Sequence, residues 1–434
     1  MIERRGTCKL LKMEGIGTSI DTISDLPDSV LHHIMSFLKT REAVQTCILA
    51  KRWKNLWRTL PYLHLNLNDF RLENNNACSS LDSFENFTSN LLLLRDPTGL
   101  HTFQLNCPYR LSCDDQIMSG CALYALRCNP RVLSLLLPKG AALQLCHSVF
   151  KCKSLEDLRF GHFDKVDEIK LVPRTITLPH LRRLHLETMH LDEDFMEKMF
   201  LRCPSLTDLH LAWCVLMNVR MIRSQNLKFL ALDRCVFEVD MQLIDAPSLT
   251  KLCINGLEAM SHRIHITSMP SLLKAVVGYW SSQPRQSVVF PRFSNVQQLQ
   301  LKGCTIEALL KRELPTCPIF HKLRSLYVGV NCTTGDLALT ADFILRHCPK
   351  LKELVLSHGT DYCCECAKMA ANVYRDRREQ KLRTILLHGP MLFDKITVLH
   401  FNYCRKGRKT PEALKKIGIW EGIGATITSK ILFF

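Results

Sequence analysis

A six-residue pattern recurs along the chain, with an apolar residue at its first, fourth and sixth positions. From Leu155 to Leu351 the pattern takes eight steps over 196 residues, which gives a mean period of 24.5 residues. Clear copies begin at Leu155, Leu181, Leu206, Leu227, Leu249, Val296, Leu323 and Leu351, and a degenerate copy begins at Leu272. Such regular spacing predicts an array of similar structural units rather than a core built from unrelated segments.

Each copy of the pattern is predicted to form a short strand. Side chains alternate between the two faces of a strand, so the fourth and sixth positions would point inward and the fifth outward. One unit cannot cover its own apolar face, whereas stacked neighbours can. The period and the LxxLxL core are typical of leucine-rich repeats. Weaker copies begin at Leu100, Val132, Leu382 and Ile396.

The segments between the copies often have helical spacing. Residues 192–200 carry acids at their start and apolar residues three and four apart, as expected at the beginning of an amphipathic helix. The fold class is therefore predicted to be α/β, a solenoid with one strand and one helix per repeat. Its horseshoe should curve irregularly because the repeat lengths vary.

Composition excludes several other classes of protein. Apolar residues make up 47% and charged residues 23%, which argues against a mostly disordered chain. No apolar run approaches the roughly 18 residues of a membrane-spanning helix, and the N-terminus lacks the features of a secretory signal. The 21 cysteines are therefore interpreted as reduced thiols in a protein of the nucleus and/or cytoplasm.

The net charge of +16 raises the question of an anionic partner. Lys and Arg are dispersed, and the tightest clusters lie at residues 51–54, 375–383 and 405–409. None of these forms a long basic tail or alternates with aromatic residues, as a binder of single-stranded nucleic acid would require. The pattern argues against nucleic acid, which stays as an alternative, and no membrane partner is predicted.

A different pattern precedes the repeats, between residues 25 and 61. Pro27 suits the first turn of a helix, Thr40 can cap a second one, and Trp53 and Trp57 have the spacing of one face of a third. Three helices this short have little core of their own, so the module is expected to keep apolar surface for a partner.

This segment closely resembles an F-box. The resemblance rests on the Leu26-Pro27-Asp28 opening, the Ser36-Phe37-Leu38 helix end and the run LAKRWKNLW at 49–57. With the repeats that follow, the chain is similar to plant F-box/LRR proteins, including those with a C-terminal FBD-type region. The predicted organisation is a flexible extension (1–20), an F-box (21–62), a repeat solenoid (63–404, FBD-like from about 340) and a divergent basic and apolar tail (405–434).

The resemblance implies a non-enzymatic substrate receptor of an SCF-type ubiquitin ligase. The F-box would dock on a Skp-family adaptor and, through it, on a cullin with its RING partner. Trp53 and Trp57 would hold the helices together, and Val30 and Leu56 are assigned to core packing. The residues predicted to contribute to the adaptor-facing surface are Leu26, Pro27, Leu31, Ile34, Leu38, Val44 and Ile48.

The outward fifth positions of the repeat strands are predicted to bind a target protein, whose identity the sequence leaves open. They are polar to apolar with modest positive character and do not form a phosphate-binding loop. The residues proposed for this role are Arg159, His185, His210, Gln300 and Tyr327.

No catalytic motif or dinucleotide-binding glycine pattern occurs, so no cofactor is predicted. Cys363, Cys364 and Cys366 could be imagined as zinc ligands with His358 and Cys348, but a second CxxC pair is missing. They are interpreted as buried thiols. A scaffold without ligase coupling remains an alternative function because the tail does not continue the repeat.

Overall fold

The computed structural model describes residues 23, 25–70, 77–96, 99–107, 115–162, 173, 175–239, 241–257, 264–266, 269–279, 293, 295–303, 319–329, 346–358 and 398–403. The predicted extension (1–20), the tail (405–434), the repeat copy at Leu382 and the cysteines at 363–366 lie outside these residues. None of the helices within the described ranges is long and apolar enough to cross a membrane.

The described helices are concentrated in the first half of the chain. The α-helices are α1 (Asp28–Met35), α2 (Thr40–Gln45), α3 (Ala77–Leu94), α4 (Asp115–Arg127), α5 (Lys139–Val149) and α6 (Glu193–Arg202). Short 3-10 helices lie at Thr46–Ile48, Lys51–Lys54, Leu56–Thr59 and Leu67–Phe70.

Strands occupy most of the remainder. They are β1 (Tyr62–Asn66), β2 (Thr102–Asn106), β3 (Val132–Leu137), β4 (Asp157–His162), β5 (Arg183–Glu187), β6 (His190–Asp192), β7 (Asp208–Ala212), β8 (Val215–Met217), β9 (Met221–Arg223), β10 (Phe229–Asp233), β11 (Val236–Phe237), β12 (Met241–Asp245), β13 (Lys251–Leu257), β14 (Ile264–Ile266), β15 (Lys274–Tyr279), β16 (Gln298–Gly303), β17 (Ser325–Gly329), β18 (Glu353–His358) and β19 (Val398–Tyr403).

One parallel sheet of thirteen strands forms the body of the molecule. Its order is β1-β2-β3-β4-β5-β7-β10-β13-β15-β16-β17-β18-β19, so each strand pairs with the strand of the next repeat. Every clear copy of the LxxLxL pattern, and the degenerate copy at Leu272, contributes one strand to this sheet. The predicted α/β class, with a short helical segment followed by a solenoid of parallel repeat strands, is confirmed.

The sheet has the predicted alternation of faces. In β4 the fourth and sixth positions of the pattern, Leu158 and Phe160, are fully buried, while Arg159 between them is half-buried. The same leucines stack on one another through the register, for example Leu158 on Leu184 and Leu184 on Leu209. This continuous apolar ladder is the core of the solenoid.

The expectation of a helix in every repeat is wrong for the middle of the chain. Helix α6 matches the prediction, and the Asp192 carboxylate caps it by accepting a hydrogen bond from the Phe195 amide at 2.9 Å. The next repeats are shorter, with 21 residues from Leu209 to Leu230. That length leaves little room for a helix, and the return segments instead form two small parallel sheets, β11-β8-β6 and β14-β12-β9.

The third helix of the N-terminal module also differs from the prediction. Two 3-10 turns, Lys51–Lys54 and Leu56–Thr59, replace it, and Trp53 and Trp57 are both buried between the helices and the solenoid. Thr40 does not cap α2. It is the first helical residue, and its hydroxyl instead accepts a hydrogen bond from the His64 amide of β1 at 2.7 Å.

The cysteines agree only in part with the expectation of reduced thiols. Ten of the described cysteines are not disulfide-bonded, and several of them fill the core. Burial raises the pKa of the Cys203 and Cys214 thiols to about 12, so both stay protonated. Cys107 is the exception because it is disulfide-bonded.

Candidate functional site

The N-terminal helical module exposes more apolar surface than its own folding requires. Val30 and Ile34 on α1, and Phe37 in the turn that follows it, have the spacing of one helical face, and Phe37 is 78% exposed. Farther along the chain, Ile48 and Leu49 are 83% and 67% exposed. Large apolar side chains in two such groups are typical of a protein-binding surface. These five residues are called the apolar surface below.

The predicted adaptor-binding residues divide into exposed and buried ones. Pro27, Ile34 and Ile48 are exposed, whereas Leu26, Leu38 and Val44 are partly buried against the core.

Two expectations for α1 are corrected. Leu31 is fully buried because it lies with Met35 on the inward face of the helix, so it cannot belong to an exposed binding surface. Val30, expected in the core, is 40% exposed on the opposite face, while Leu56 is buried as predicted. The adaptor-binding role of the other residues stays a prediction.

Polar contacts fix the shape of the module beneath the apolar surface. Arg52 forms an ion pair with Asp28 at 2.9 Å, which links the 3-10 turn at Lys51–Lys54 to the start of α1. The His32 Nε2 atom lies 3.2 Å from the Leu56 carbonyl oxygen, within hydrogen-bonding distance. The relative positions of α1 and the following turns are thus set before any partner binds.

The module is joined to the solenoid by charged and polar contacts as well as by a shared core. Lys39 pairs with Asp69 at 2.7 Å, and Arg41 donates to the Asp69 carbonyl at 3.0 Å. Arg58 donates to the Leu94 carbonyl at 2.8 Å. The buried Arg95 guanidinium, at the end of α3, donates to the Leu60 carbonyl. Each contact crosses the predicted domain boundary, so the two parts are held in a defined orientation.

The outward face of the main sheet has three rows of side chains, because residues two apart on a strand share a face. The predicted target-binding residues belong to the middle row. Strand register places Arg159 beside His185 and His185 beside His210. Gln300 and Tyr327 are neighbours farther along the same row. The five residues thus form two groups on one face, and their target-binding role stays a prediction.

The first group, Arg159, His185 and His210, is called the histidine cluster below. Its positive charges have carboxylate partners. The Arg159 guanidinium pairs with Glu187 at 2.8 Å, and Arg183 pairs with Asp157 at 2.7 Å. The His185 and His210 rings stack with centroids 4.0 Å apart and an interplanar angle of 25°. Glu187 was missed by the sequence analysis, which considered only the fifth positions, although it lies two residues from His185 on the same face.

Burial keeps the stacked histidines neutral. The pKa of His185 is lowered to about 3, first by burial and then by the neighbouring His210 and Arg159 charges. Burial also lowers the pKa of His210. The pair therefore offers flat, uncharged rings at physiological pH. The pair therefore adds no positive charge to this face at physiological pH.

A pH dependence of stability follows from these pKa values. Between about pH 3 and the ordinary histidine pKa of 6.5, the unfolded chain binds a proton at His185 and the folded chain does not. Acidification therefore favours unfolding, and we expect the free energy of unfolding to fall by about 1–2 kcal/mol from pH 6.5 to pH 5. Urea titrations at both pH values test this. In a His185→Gln variant the loss should be smaller, and an equal loss in both proteins would contradict the assignment.

Metal ligation finds no support in the part of the chain that is described. No group of three or more His, Cys, Asp or Glu side chains there is arranged to hold a metal ion. Cys348 is buried, and the cysteines at 363–366 lie outside the described residues.

Comparison with known proteins bears on both parts of the chain. The F-box domain family matches residues 23–65, and the family described as "FBD-associated F-box protein At5g56370, LRR repeats" matches residues 131–290. The first match contains the apolar surface, and the second contains the histidine cluster.

Similar full-length proteins come from Arabidopsis thaliana. F-box/LRR-repeat protein At4g14103 is 27% identical over 80% of this chain and 94% of its own length. F-box/LRR-repeat protein At2g42720 is 28% identical over 82% and 83%, and F-box/FBD/LRR-repeat protein At2g26030 is 27% identical over 77% and 78%.

The class of protein is thus an F-box joined to leucine-rich repeats. More narrowly, the chain carries an F-box match and an FBD-associated repeat match and is similar to plant F-box/LRR proteins, as the resemblance indicated. The predicted boundaries at residues 20, 62 and 404 stay predictions.

Proposed function

We propose that this protein is the substrate-recognition subunit of an SCF-type ubiquitin ligase. In this proposal the F-box docks on a Skp-family adaptor, which links it to a cullin and its RING partner. The sheet face of the solenoid binds a target protein, and the chain itself carries out no chemistry. The observation that carries the proposal is the exposure of five large apolar side chains on an otherwise well-packed F-box.

The energetics of that surface favour a protein partner. Burying a large apolar side chain contributes about 1.5–3 kcal/mol, so a few such residues can dominate an interface. Most of the side-chain area of Phe37, Ile48 and Leu49 is exposed to water. This exposure does not stabilise the free protein. An adaptor with a complementary apolar groove would remove this area from water.

The rigid junction supports a role in positioning. A ligase receptor works by holding the target near the conjugating enzyme, which raises the effective concentration of target lysines. A flexible hinge between F-box and solenoid would dilute that effect. The contacts of Thr40, Arg58 and Arg95 across the junction give the two binding surfaces a fixed separation.

The proposed working compartment is the nucleus, the cytoplasm or both.

The proposal is tested by co-purifying the full chain with a plant Skp-family adaptor, beside the Leu26→Ala/Pro27→Ala double variant. We expect a stoichiometric complex for the wild type and its loss in the variant. Pro27 precedes α1 and sets its start, while Leu26 packs partly against the core. Circular dichroism should show the repeats still folded in the variant.

Adaptor binding without ubiquitin transfer to any bound protein, in a mixture reconstituted with cullin, RING partner and conjugating enzyme, would favour the alternative of a scaffold. Failure of a folded wild-type chain to bind the adaptor would overturn the proposal itself.

A further inference from the structure

A cluster of lysines lies on the sheet face beyond the histidines. Lys251 and Lys274 are directly opposite each other in β13 and β15. Lys302 lies on β16, in the outer row of the same face. All three charges reach the thiol of Cys253, which lies between them in the middle row. Burial raises the pKa of that thiol, and the three lysines act against this effect. These residues are called the lysine cluster below.

Within the described part of the chain, the Lys251–Lys274 pair lacks the carboxylate partners that the arginines nearby have. In β4 and β5, Arg159 and Arg183 each have a carboxylate partner within 3 Å. Among the described residues, neither Lys251 nor Lys274 forms an ion pair, and Lys251 instead lies over the Phe229 ring at 4.4 Å. Asp233 is the acid whose charge is felt at Cys253. Among the described residues, Lys251 and Lys274 therefore place two positive charges side by side without an ion-pair partner.

This arrangement costs stability in the free protein. Like charges directly opposite on neighbouring strands are destabilising, and the Lys251–Lys274 pair is such a case. Elsewhere on this face Arg159 and Arg183 form ion pairs with carboxylates, so the surface is not uniformly basic. An anionic partner would relieve the repulsion and make charge-assisted hydrogen bonds to the ammonium groups.

The surroundings of the lysine cluster suit an extended peptide. The cluster spans three adjacent strands, about 10 Å at the usual strand spacing, which matches a few residues of peptide rather than a long duplex. Beside the lysines the middle row is small or apolar, with Cys253 and the buried Val276.

We propose that the lysine cluster binds an acidic segment of the target protein, with carboxylate or phosphate groups facing Lys251, Lys274 and Lys302. This inference rests on the proposed function because it names the class of target that the receptor would take. Double-stranded nucleic acid is the rival anion, and the histidine cluster beside this site would contact the uncharged flank of the bound segment.

The test is fluorescence polarisation with the full chain and three labelled peptides of equal length. One alternates Glu with Gly, one carries phosphoserine in place of Glu, and one carries Gln. We expect binding of the first two only, with the phosphoserine arm separating phosphate from carboxylate recognition. In Lys251→Gln/Lys274→Gln the affinity should fall about tenfold or more, since two charge-assisted contacts are lost.

A matched control removes the same charge elsewhere. Lys322 and Lys350 are exposed turn residues outside the three rows, so Lys322→Gln/Lys350→Gln should change the affinity less than about twofold. Equal losses in the two double variants would overturn the proposal, because binding would then follow overall charge. No binding of either acidic peptide, or tighter binding of a mixed-sequence DNA duplex, would also overturn it.

Two further measurements separate this inference from the proposed function. Lys251→Glu/Lys274→Glu should reject the acidic peptides and bind a peptide that alternates Lys with Gly, which a merely unfolded variant could not do. Adaptor co-purification should be unchanged in every lysine variant. If the wild-type chain binds the adaptor but neither acidic peptide, the lysine-cluster proposal is wrong and the proposed adaptor docking is unaffected.

Discussion

Ile48→Asp is expected to abolish adaptor binding while leaving the protein folded. Ile48 is 83% exposed, so a carboxylate there costs the free protein little. In an apolar interface the same carboxylate would be buried without a partner, and hot-spot substitutions of this kind cost several kcal/mol. We expect the affinity for a Skp-family adaptor to fall about 100-fold or more, measured by isothermal titration calorimetry.

Leu93→Asp is the matched control for this experiment. Leu93 lies on α3 and is 80% exposed, so the change in chemistry and in exposure is nearly the same. Leu93 lies outside the F-box. The affinity of the Leu93→Asp variant for the adaptor should therefore stay within about twofold of the wild type. Equal weakening by both substitutions would mean that the F-box surface is not the docking site.

Gly161→Ala is expected to be strongly destabilising to the solenoid. Gly161 lies on β4 directly opposite Glu187 of β5. A Cβ atom at Gly161 would lie 2.3 Å from the Glu187 carbonyl oxygen and 2.7 Å from its Cβ, and backbone atoms cannot rotate away. The two strands would have to separate at the residue that pairs with Arg159. We expect a loss of about 2–3 kcal/mol in the free energy of unfolding, measured by urea titration.

The same substitution at Gly120 should have the opposite sign. Gly120 lies within α4, and a Cβ atom there would have no neighbour within 4 Å. Alanine is favoured over glycine inside a helix by about 0.5–1 kcal/mol, so Gly120→Ala should be stabilising. If the Gly161→Ala variant were as stable as the wild type, the close approach of Gly161 on β4 to Glu187 on β5 would be contradicted.

The repeat architecture was predictable because the apolar residues that produce it recur at regular spacing. Burial of Leu158, Leu184 and Leu209 depends only on alternation within a strand and stacking between repeats, and both are visible in the spacing of leucines. The return segments were less predictable. Whether a repeat closes with a helix or a short strand depends on a few residues of length, as the 21-residue step from Leu209 shows.

The candidate surfaces were harder to derive from the sequence. Leu31 and Val30 are adjacent apolar residues on α1, and which one points inward depends on how the helix is rotated against the 3-10 turns. On the sheet face, the sequence analysis considered only the fifth position of each repeat. It left out the residues two positions away, which share the same face. Lys251, Lys274 and Glu187 were missed for that reason, although the period of two that places them there is a property of any strand.

The most direct test of the central claim is the mass of the complex formed when the full chain is co-expressed with a plant Skp-family adaptor. Size-exclusion chromatography with light scattering reports that mass without a label. The proposed receptor function predicts one particle containing one copy of each protein, absent with Ile48→Asp and present with Leu93→Asp. A folded wild-type chain that elutes alone, with the adaptor in a separate peak, would contradict it.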